Sequence, residues 1–318
     1  MKNKISIAVC FLAAAAGAVG GWLYSGGYGS EGFIENMILF TLGAALAAGA
    51  LLFAVLYLKG IGPNVEVFKR YRYLLGNLIS RDLKVKYRRS VLGFMWSILN
   101  PLLMALVINA VFSRIFRFQV EYFIVYYLTG SLIFNFMTEA TTGSLTSVIS
   151  AASLIKKVYI PKYIFPLEKC LFAFVNMLFS SVAVIVVILI VRMPVAPTAL
   201  LFFYPIICTL IFSLGLSLIL ASTNVFFRDI GHLYTVWTVA WMYLTPVIYP
   251  AEVIPDRLAP IMHLNPMFHY VTYMRDVVMY ATVPSVTEHL VCIVYALAFL
   301  AAGLVLFKKQ QDRFILYI

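Results

Sequence analysis

The residues best suited to chemistry in this chain are basic ones gathered in a single stretch. Lysines and arginines are dense between positions 59 and 89, and Arg88 and Arg89 end the run beside an apolar segment. Basic side chains near a lipid surface attract anionic headgroups, each by about 1 kcal/mol. Arg88 and Arg89 are therefore the candidate residues for receiving an anionic substrate.

Aromatic side chains form a second candidate set. Their rings bury a large area, and Tyr and Trp keep a polar tip that can bond hydroxyl groups. Such rings could line a conduit and stack on a substrate with apolar faces, such as sugar rings, although lipid-facing packing and interfacial belts use the same residue types. The candidates are Trp96, Phe112, Phe116, Tyr122, Tyr126, Trp237, Trp241 and Tyr249.

Motifs for catalysis and nucleotide binding are missing from the sequence. It holds no G-x-x-x-x-G-K-[ST] loop, no G-x-S-x-G elbow and no H-E-x-x-H pair. The four cysteines lie far apart in or beside apolar runs, without metal-ligand spacing. We therefore expect no catalytic residue, metal or cofactor in this chain, and any ATP that powers it must be bound by another chain.

The composition places these residues in a membrane. Hydrophobic residues make up 63% of the chain and charged residues 12%, whereas a soluble domain carries roughly 25% charged residues. The net charge of +11 could suggest nucleic acid, but the basic residues lie between apolar runs instead of on a soluble face. We expect an all-α polytopic membrane protein that binds membrane lipids and no nucleic acid.

Eight apolar runs are long enough to cross the hydrocarbon layer, which takes about 20 residues. They cover residues 5–24, 34–58, 91–112, 122–140, 167–191, 199–224, 233–249 and 290–307. The loops rich in lysine and arginine alternate along the chain, which predicts that both termini are cytoplasmic. Lys2, Lys4 and the small residues at 13–21 also resemble a signal peptide, and cleavage there is the alternative to the first span.

Two segments are neither simple spans nor simple loops. Residues 65–89 place Val67, Tyr71, Leu74, Leu75 and Leu78 on one helical face, which predicts a basic amphipathic helix in the headgroup region; an ordinary solvated loop is the alternative. Residues 245–280 carry five prolines among apolar residues. Because proline interrupts helices, we expect short re-entrant helices at the outer face.

Three ordered motifs resemble a known family. The first is RDLKVKYRRSVLGFMWSILNP at 81–101, the second is NVFFRDI at 224–230 followed by TPVIYP at 245–250, and the third is Asn265-Pro266. They are similar to the permease subunits of type-2 ABC exporters for polysaccharides, which include O-antigen, capsule and teichoic-acid transporters. The likeness runs from about Val65 to the C-terminus, and it does not identify the glycan.

The resemblance implies a homodimer in a bacterial inner membrane that binds two copies of a separate ABC ATPase, which holds the ATP and Mg²⁺. It implies a cytoplasmic gate helix over 61–90 and a six-span permease core over 91–318, and it leaves residues 1–60 as a two-span N-terminal extension of unknown role. The loop at 153–166 would couple to the ATPase; otherwise it is a plain basic inner loop. Its candidate coupling residues are Lys156, Lys157, Tyr159, Pro161 and Lys162.

The leading hypothesis is export of a lipid-linked polysaccharide by a transport permease without enzymatic activity. Arg88 and Arg89 would receive the diphosphate of the lipid, and the glycan would slide past the aromatic rings. One alternative exports a small molecule or a lipid with the same architecture. A membrane-embedded lipid or glycan enzyme is a distant alternative, since it would require clustered acidic or histidine residues that the sequence lacks.

Overall fold

The computed structural model describes the backbone of residues 61–88, 90–114, 120–158, 160–255 and 257–318. Side chains are described from Tyr71 onward within those ranges, except at positions 113, 114, 252, 259 and 260. The predicted spans at 5–24 and 34–58, and the alternative of a cleaved signal peptide, lie outside the described residues.

All regular structure in the described ranges is helical. The α-helices in chain order are α1 Ile61–Lys86, α2 Trp96–Arg114, α3 Phe123–Leu145, α4 Ser147–Ser150, α5 Ala152–Lys157, α6 Ile164–Val191, α7 Phe203–Phe226, α8 Ile230–Tyr243, α9 Ala259–His263, α10 Pro266–Val278 and α11 Val286–Gln310. Short 3₁₀ turns occur at Gly93–Met95, Pro197–Phe202, Ala251–Val253 and Gln311–Leu316.

Within the described ranges, four helical segments are long and apolar enough to cross a membrane: Gly93–Phe112, Ile164–Val191, Pro197–Phe226 and Val286–Leu316. They confirm four of the predicted apolar spans, those at 91–112, 167–191, 199–224 and 290–307. The predicted span at 122–140 falls within α3, a helix of 23 residues whose second half carries Thr138, Glu139, Thr141 and Thr142.

The predicted run at 233–249 is only partly helical. Helix α8 has 14 residues and ends at Tyr243, so the predicted end at Tyr249 is wrong. At about 1.5 Å per residue this helix is about 21 Å long, shorter than the hydrocarbon core. Pro246 follows three residues later and cannot donate the hydrogen bond that a continuing helix requires.

The two helices between α8 and α11 are short, as the proline pattern predicts. Helix α9 has five residues and α10 has 13. Asn265 caps α10 by accepting a hydrogen bond from the Met267 N–H at 3.0 Å, and Pro266 occupies the first helical position. Ser285 caps α11 by accepting a bond from the Glu288 N–H at 3.2 Å. These caps set where α10 and α11 begin. We call residues 245–280, which the sequence predicts to lie at the outer face, the outer segment.

Helices α7 and α11 meet backbone to backbone. A Cβ built on Gly215 would lie 2.3 Å from the carbonyl carbon of Phe299, and one built on Gly303 would lie 2.3 Å from the Gly215 carbonyl oxygen. Small residues permit such close approach between membrane helices, where dispersion and not hydrophobic burial drives association. The two glycines therefore fix the position of α11 against α7.

Two separate apolar cores result. The larger lies among α3, α6, α7, α10 and α11, and fully buried aromatic rings such as Phe136, Phe212 and Tyr270 contribute to it. The smaller one joins Leu75 and Leu78 of α1 to Ile155, Phe307 and Phe314. It brings α1, the loop after α5 and the ends of α7 and α11 to one end of the bundle, which we call the basic end because those segments carry the basic clusters.

Candidate functional site

Helix α1 lies at the basic end with its apolar face inward, as the amphipathic pattern predicts. Leu75 and Leu78 are buried, whereas Arg81 and Lys84 are exposed. Asp82 forms an ion pair with Lys169 near the start of α6. Burial raises the pKa of Asp82, but hydrogen bonds from Lys169 and Arg81 outweigh that effect and lower the pKa below its usual range. The carboxylate is therefore charged at neutral pH and holds α1 against α6.

A second polar cluster joins the C-terminal end of α1 to three other helices. Lys86 Nζ lies 2.7 Å from Glu139 Oε1 on α3, and Asn176 Nδ2 on α6 donates to the same oxygen at 2.6 Å. The Tyr87 hydroxyl donates to Asn176 Oδ1 at 2.9 Å and is hydrogen-bonded to Ser97 on α2. We call these five residues the polar junction. The Glu139 side chain also lines a cavity of about 50 Å³ between α2, α3 and α6.

The polar junction stands directly before the candidate entrance residues. Arg88 follows Tyr87 in a turn after α1 and is exposed. Arg89 lies outside the described residues. Since Tyr87 contacts α2 and α6 through its hydroxyl, the turn that carries Arg88 begins from a fixed point in the bundle.

The loop at 153–166 divides into an exposed part and an anchored part. Lys156 and Lys157 at the end of α5 are exposed, and Tyr159 lies outside the described residues. Pro161 is half-buried. Lys162 is also half-buried, and its Nζ donates to the Gln311 carbonyl at 2.6 Å and lies 5.9 Å from the ring centre of Phe314. Lys162 therefore holds the second half of this loop against the turn after α11, whereas Lys156 and Lys157 in its first half are exposed.

Trp96, Phe112, Tyr122 and Trp237, which are predicted channel aromatics, are wholly or partly exposed. Trp96 is 44% exposed at the start of α2 and Trp237 is 51% exposed on α8. Phe112 and Tyr122 are half-buried, and the Phe112 ring stacks on Phe123 with centroids 6.3 Å apart. Phe116 lies outside the described residues.

The other three predicted channel aromatics hold the outer segment to the core. The Trp241 Nε1–H donates to Asn265 Oδ1 at 2.7 Å, and this side chain is only 7% exposed. The Tyr126 hydroxyl donates to the Tyr249 carbonyl at 3.0 Å, and the Tyr249 hydroxyl donates to the Tyr243 carbonyl at 2.6 Å. The structure thus brings Tyr126 and Tyr249 together and places Trp241 within the packed interior of the chain.

Sequence reasoning missed the buried cation that organises this region. Arg275 on α10 donates to the carbonyls of Pro246 at 2.6 Å and of Tyr126 and Val247 at 3.2 Å. Its guanidinium lies 3.4 Å from the ring centre of Tyr126. Gly130 leaves the space, because a Cβ there would lie 2.6 Å from Arg275 Nη2. The available signal was Arg275 itself, as an ionisable residue in the largely apolar sequence of α10.

The described residues contain no group of three or more His, Cys, Asp and Glu side chains placed to bind a metal ion. His269 lies between the Glu288 carboxylate at 3.1 Å and the His263 carbonyl at 2.8 Å, and the hydroxyl of Tyr273 lies 2.8 Å from His289 Nε2. These histidines serve the packing of α10 against α11.

The profile of the ABC-2 type transporter family matches residues 73–279 of this chain, about two thirds of its length. The chain belongs to the ABC-2 type transporter family. The match begins within α1 and ends just after α10, so it covers the polar junction, the loop at 153–166 and the Arg275 region.

Three relatives of this ABC-2 transporter are informative. It is 31% identical over 245 residues to the O-antigen export system permease protein RfbA of Klebsiella pneumoniae, an alignment that covers 76% of this chain and 93% of that protein. It is 28% identical over 252 residues to the RfbA protein of Myxococcus xanthus, covering 79% and 97%. It is 23% identical over 220 residues to the capsule polysaccharide export inner-membrane protein CtrC of Neisseria meningitidis serogroup B, covering 66% and 82%.

Proposed function

We propose that this protein is the membrane subunit of an ATP-driven exporter that moves a lipid-linked polysaccharide across the inner membrane. The observation that carries the proposal is its similarity to O-antigen and capsule export proteins over most of their length. The family match at 73–279 also covers most of α1, the loop at 153–166 and α10, which are the parts that this proposal assigns to the gate, the coupling loop and the outer segment.

The working unit in this proposal is a homodimer with two copies of a separate ATPase, which binds ATP and Mg²⁺. Helix α2 supports the homodimer, because Leu103, Leu106 and Val107 are exposed on a helix that is apolar along its length. Helix α8 presents Leu233 and Val236 in the same way. Such faces suit lipid or a second copy of the chain. The chain would have six core spans after a two-span extension at 1–60, with both termini in the cytoplasm.

The substrate would enter at Arg88 and Arg89. The polar junction supports this role because it sets the start of their turn against α2, α3 and α6. A lipid diphosphate carries negative charge, and two adjacent arginines beside the first core span offer it paired donors. Helix α1, held by the Asp82–Lys169 pair, would be the gate that admits the lipid.

The glycan would pass exposed aromatic rings between the two copies of the chain. Trp96 and Trp237 are the strongest candidates, because both rings are exposed and lie on helices that carry further exposed apolar side chains. Stacking on successive rings is weak and repeated, which lets a polymer slide. Tyr126, Trp241 and Tyr249 would support the outer segment, since their polar tips already bond within the chain.

Gene deletion tests the cargo. Loss of the protein should remove a surface polysaccharide and leave its lipid-linked intermediate inside the cell, and complementation should restore it. Normal surface glycan with no intermediate inside would refute the proposal. Export of a small molecule or lipid would leave surface glycan intact and change only the level of that compound.

Substitution of the exposed lysines tests the coupling role of the loop at 153–166. Lys156→Glu with Lys157→Glu should reduce co-purification of the ATPase because it reverses two exposed charges on α5. The matched control is Lys84→Glu with Arg72→Glu, which changes charge equally on α1. Retained ATPase binding and export in the first variant would remove the coupling role.

A further inference from the structure

A cleft of about 300 Å³ opens at the basic end, away from the polar junction. Phe226, Phe227, Lys309, Gln310, Arg313 and Tyr317 line it. It lies where α7 and α11 both end, and each of these helices belongs to a segment apolar enough to span the membrane. The cleft therefore sits at the level of the lipid headgroups.

Both charged side chains that line this cleft are positive. Lys309 and Arg313 are exposed, and neither forms an ion pair with a carboxylate of the described residues. The lining includes no aspartate or glutamate. Cations at a membrane surface without a protein partner attract anionic ligands, and an arginine can hold a phosphate through two parallel hydrogen bonds.

Contacts between side chains hold the walls of the cleft in place. The Ser222 hydroxyl on α7 is hydrogen-bonded to Gln310 Oε1. The rings of Phe226 and Tyr317 meet edge to face with centroids 4.8 Å apart, and Phe226 also meets the buried Phe314 at 5.8 Å. Lys162 holds the same turn through the Gln311 carbonyl. These contacts fix the backbone that carries Arg313 relative to the end of α7.

Apolar side chains are also exposed in the cleft and in the turn that carries Arg313. Phe227 is 69% exposed, and Ile315, Leu316 and Tyr317 are exposed along the final turn. A soluble ligand would gain little from such a rim. A lipid gains more, because its acyl and glycerol portions can cover the rim while its phosphate reaches the two cations.

We propose that this cleft binds the phosphate of an anionic glycerophospholipid at the cytoplasmic surface of the membrane. Lys309 and Arg313 contact the phosphate, and Phe227 and Tyr317 cover the glycerol and the first part of the chains. The site is distinct from the cargo entrance at Arg88 and Arg89, and it does not depend on which molecule is exported.

Lipid binding to the purified full-length protein tests the proposal. The delipidated protein in detergent is titrated with palmitoyl-oleoyl phosphatidylglycerol, with the phosphatidylcholine of the same chains as the neutral probe, and bound lipid is counted by native mass spectrometry. We expect a preference for phosphatidylglycerol in the natural protein. Lys309→Gln with Arg313→Gln should weaken phosphatidylglycerol binding about 25-fold, since each exposed cation in direct contact with the phosphate contributes up to about 1 kcal/mol, which is about a factor of five.

The matched control is Arg228→Gln with Lys308→Gln. Both residues are exposed at the same end, neither lines the cleft, and the net charge changes equally. This control should keep the preference. The single variants Lys309→Gln and Arg313→Gln, each expected to lose about fivefold, provide the test if the double variant does not fold.

Three outcomes would overturn the proposal. An unchanged preference for phosphatidylglycerol in the double variant places the lipid elsewhere. Tight binding of a polyprenyl diphosphate but not of phosphatidylglycerol makes the cleft a cargo site. Normal phosphatidylglycerol binding with loss of the ATPase from the double variant makes it a protein contact. Each result is read from binding alone, so it is independent of whether polysaccharide export itself is confirmed.

Discussion

Removing the Lys169 side chain should release α1 from the bundle. Its Nζ bonds Asp82 on α1 and lies 3.4 Å from Glu168 Oε2, and Glu168 is only 2% exposed. Lys169→Gln removes the cation between these two carboxylates, so that Glu168 loses its partner and Asp82 keeps only Arg81. Breaking a buried pair in this way costs about 3–5 kcal/mol. Because the Lys169 side chain is 24% exposed, solvent screens part of the interaction, and we expect about 2–3 kcal/mol.

The consequence is a more frequent opening of α1. Since about 1.4 kcal/mol corresponds to a factor of ten, the opening equilibrium should rise roughly 30- to 150-fold. Hydrogen exchange of the α1 backbone amides measures this directly, because exchange from a transient open state follows its population. The control is Lys84→Gln, which removes one positive charge from an exposed site on the same helix and should change exchange little.

A second variant separates electrostatics from packing. Adding Glu168→Gln to Lys169→Gln removes the buried carboxylate and should restore a large part of the lost protection. A Lys169→Gln variant that leaves the hydrogen-exchange rates of the α1 amides unchanged, or raises them no more than Lys84→Gln does, would refute the reasoning. So would a double variant that exchanges as fast as Lys169→Gln alone, because the cost would then come from lost packing.

Three further predictions concern the packing of the core and are measured by thermal unfolding of the purified protein. Gly215→Ala should destabilise by about 3 kcal/mol or more because its Cβ would overlap backbone atoms at 2.3 Å, whereas Gly143→Ala, with its nearest neighbour at 3.7 Å, should be nearly neutral; equal effects would refute this. Gly130→Ala should cost about 1–3 kcal/mol by displacing the Arg275 guanidinium. The double variant Gly130→Ala with Arg275→Lys should cost less than the sum of the two single changes. Additive costs would contradict a direct contact between position 130 and Arg275. Asn265→Ala should cost about 2–3 kcal/mol, since it removes the α10 cap and two further side-chain partners; a loss typical of a cap alone, about 1 kcal/mol, would show that those partners contribute nothing.

Long apolar helices were predictable because composition and length are enough to define them. The segment Gly93–Phe112 matches the predicted run at 91–112. Helix α8 shows the limit of that reasoning. A hydropathy window counts Val247 and Ile248 as part of the run, although Pro246 stops the helix and the Thr245 hydroxyl turns back to the Trp241 carbonyl at 2.9 Å.

The pairing of charges was not predictable from the sequence. Glu139 and Lys169 lie near the predicted inner ends of their helices, where any charge has access to water. Their partners Lys86 and Asp82 are 53 and 87 residues away in the chain, and nothing local specifies how helices rotate against each other. The same limit applies to aromatics: Trp237 and Trp241 are four residues apart on one helix, yet one is 51% exposed and the other 7%.

The contact between Gly215 and Gly303 decides how displacement travels through the molecule. Two helices whose backbones touch cannot slide past each other without separating, so we expect α7 and α11 to move as one rigid body. Helix α11 has 25 residues and is about 37 Å long. A displacement of the turn after α11, to which Lys162 is hydrogen-bonded, should therefore move the opposite ends of α7 and α11 as well. We therefore expect changes in shape to occur at α1, α2 and α8, which make fewer contacts with the other described helices.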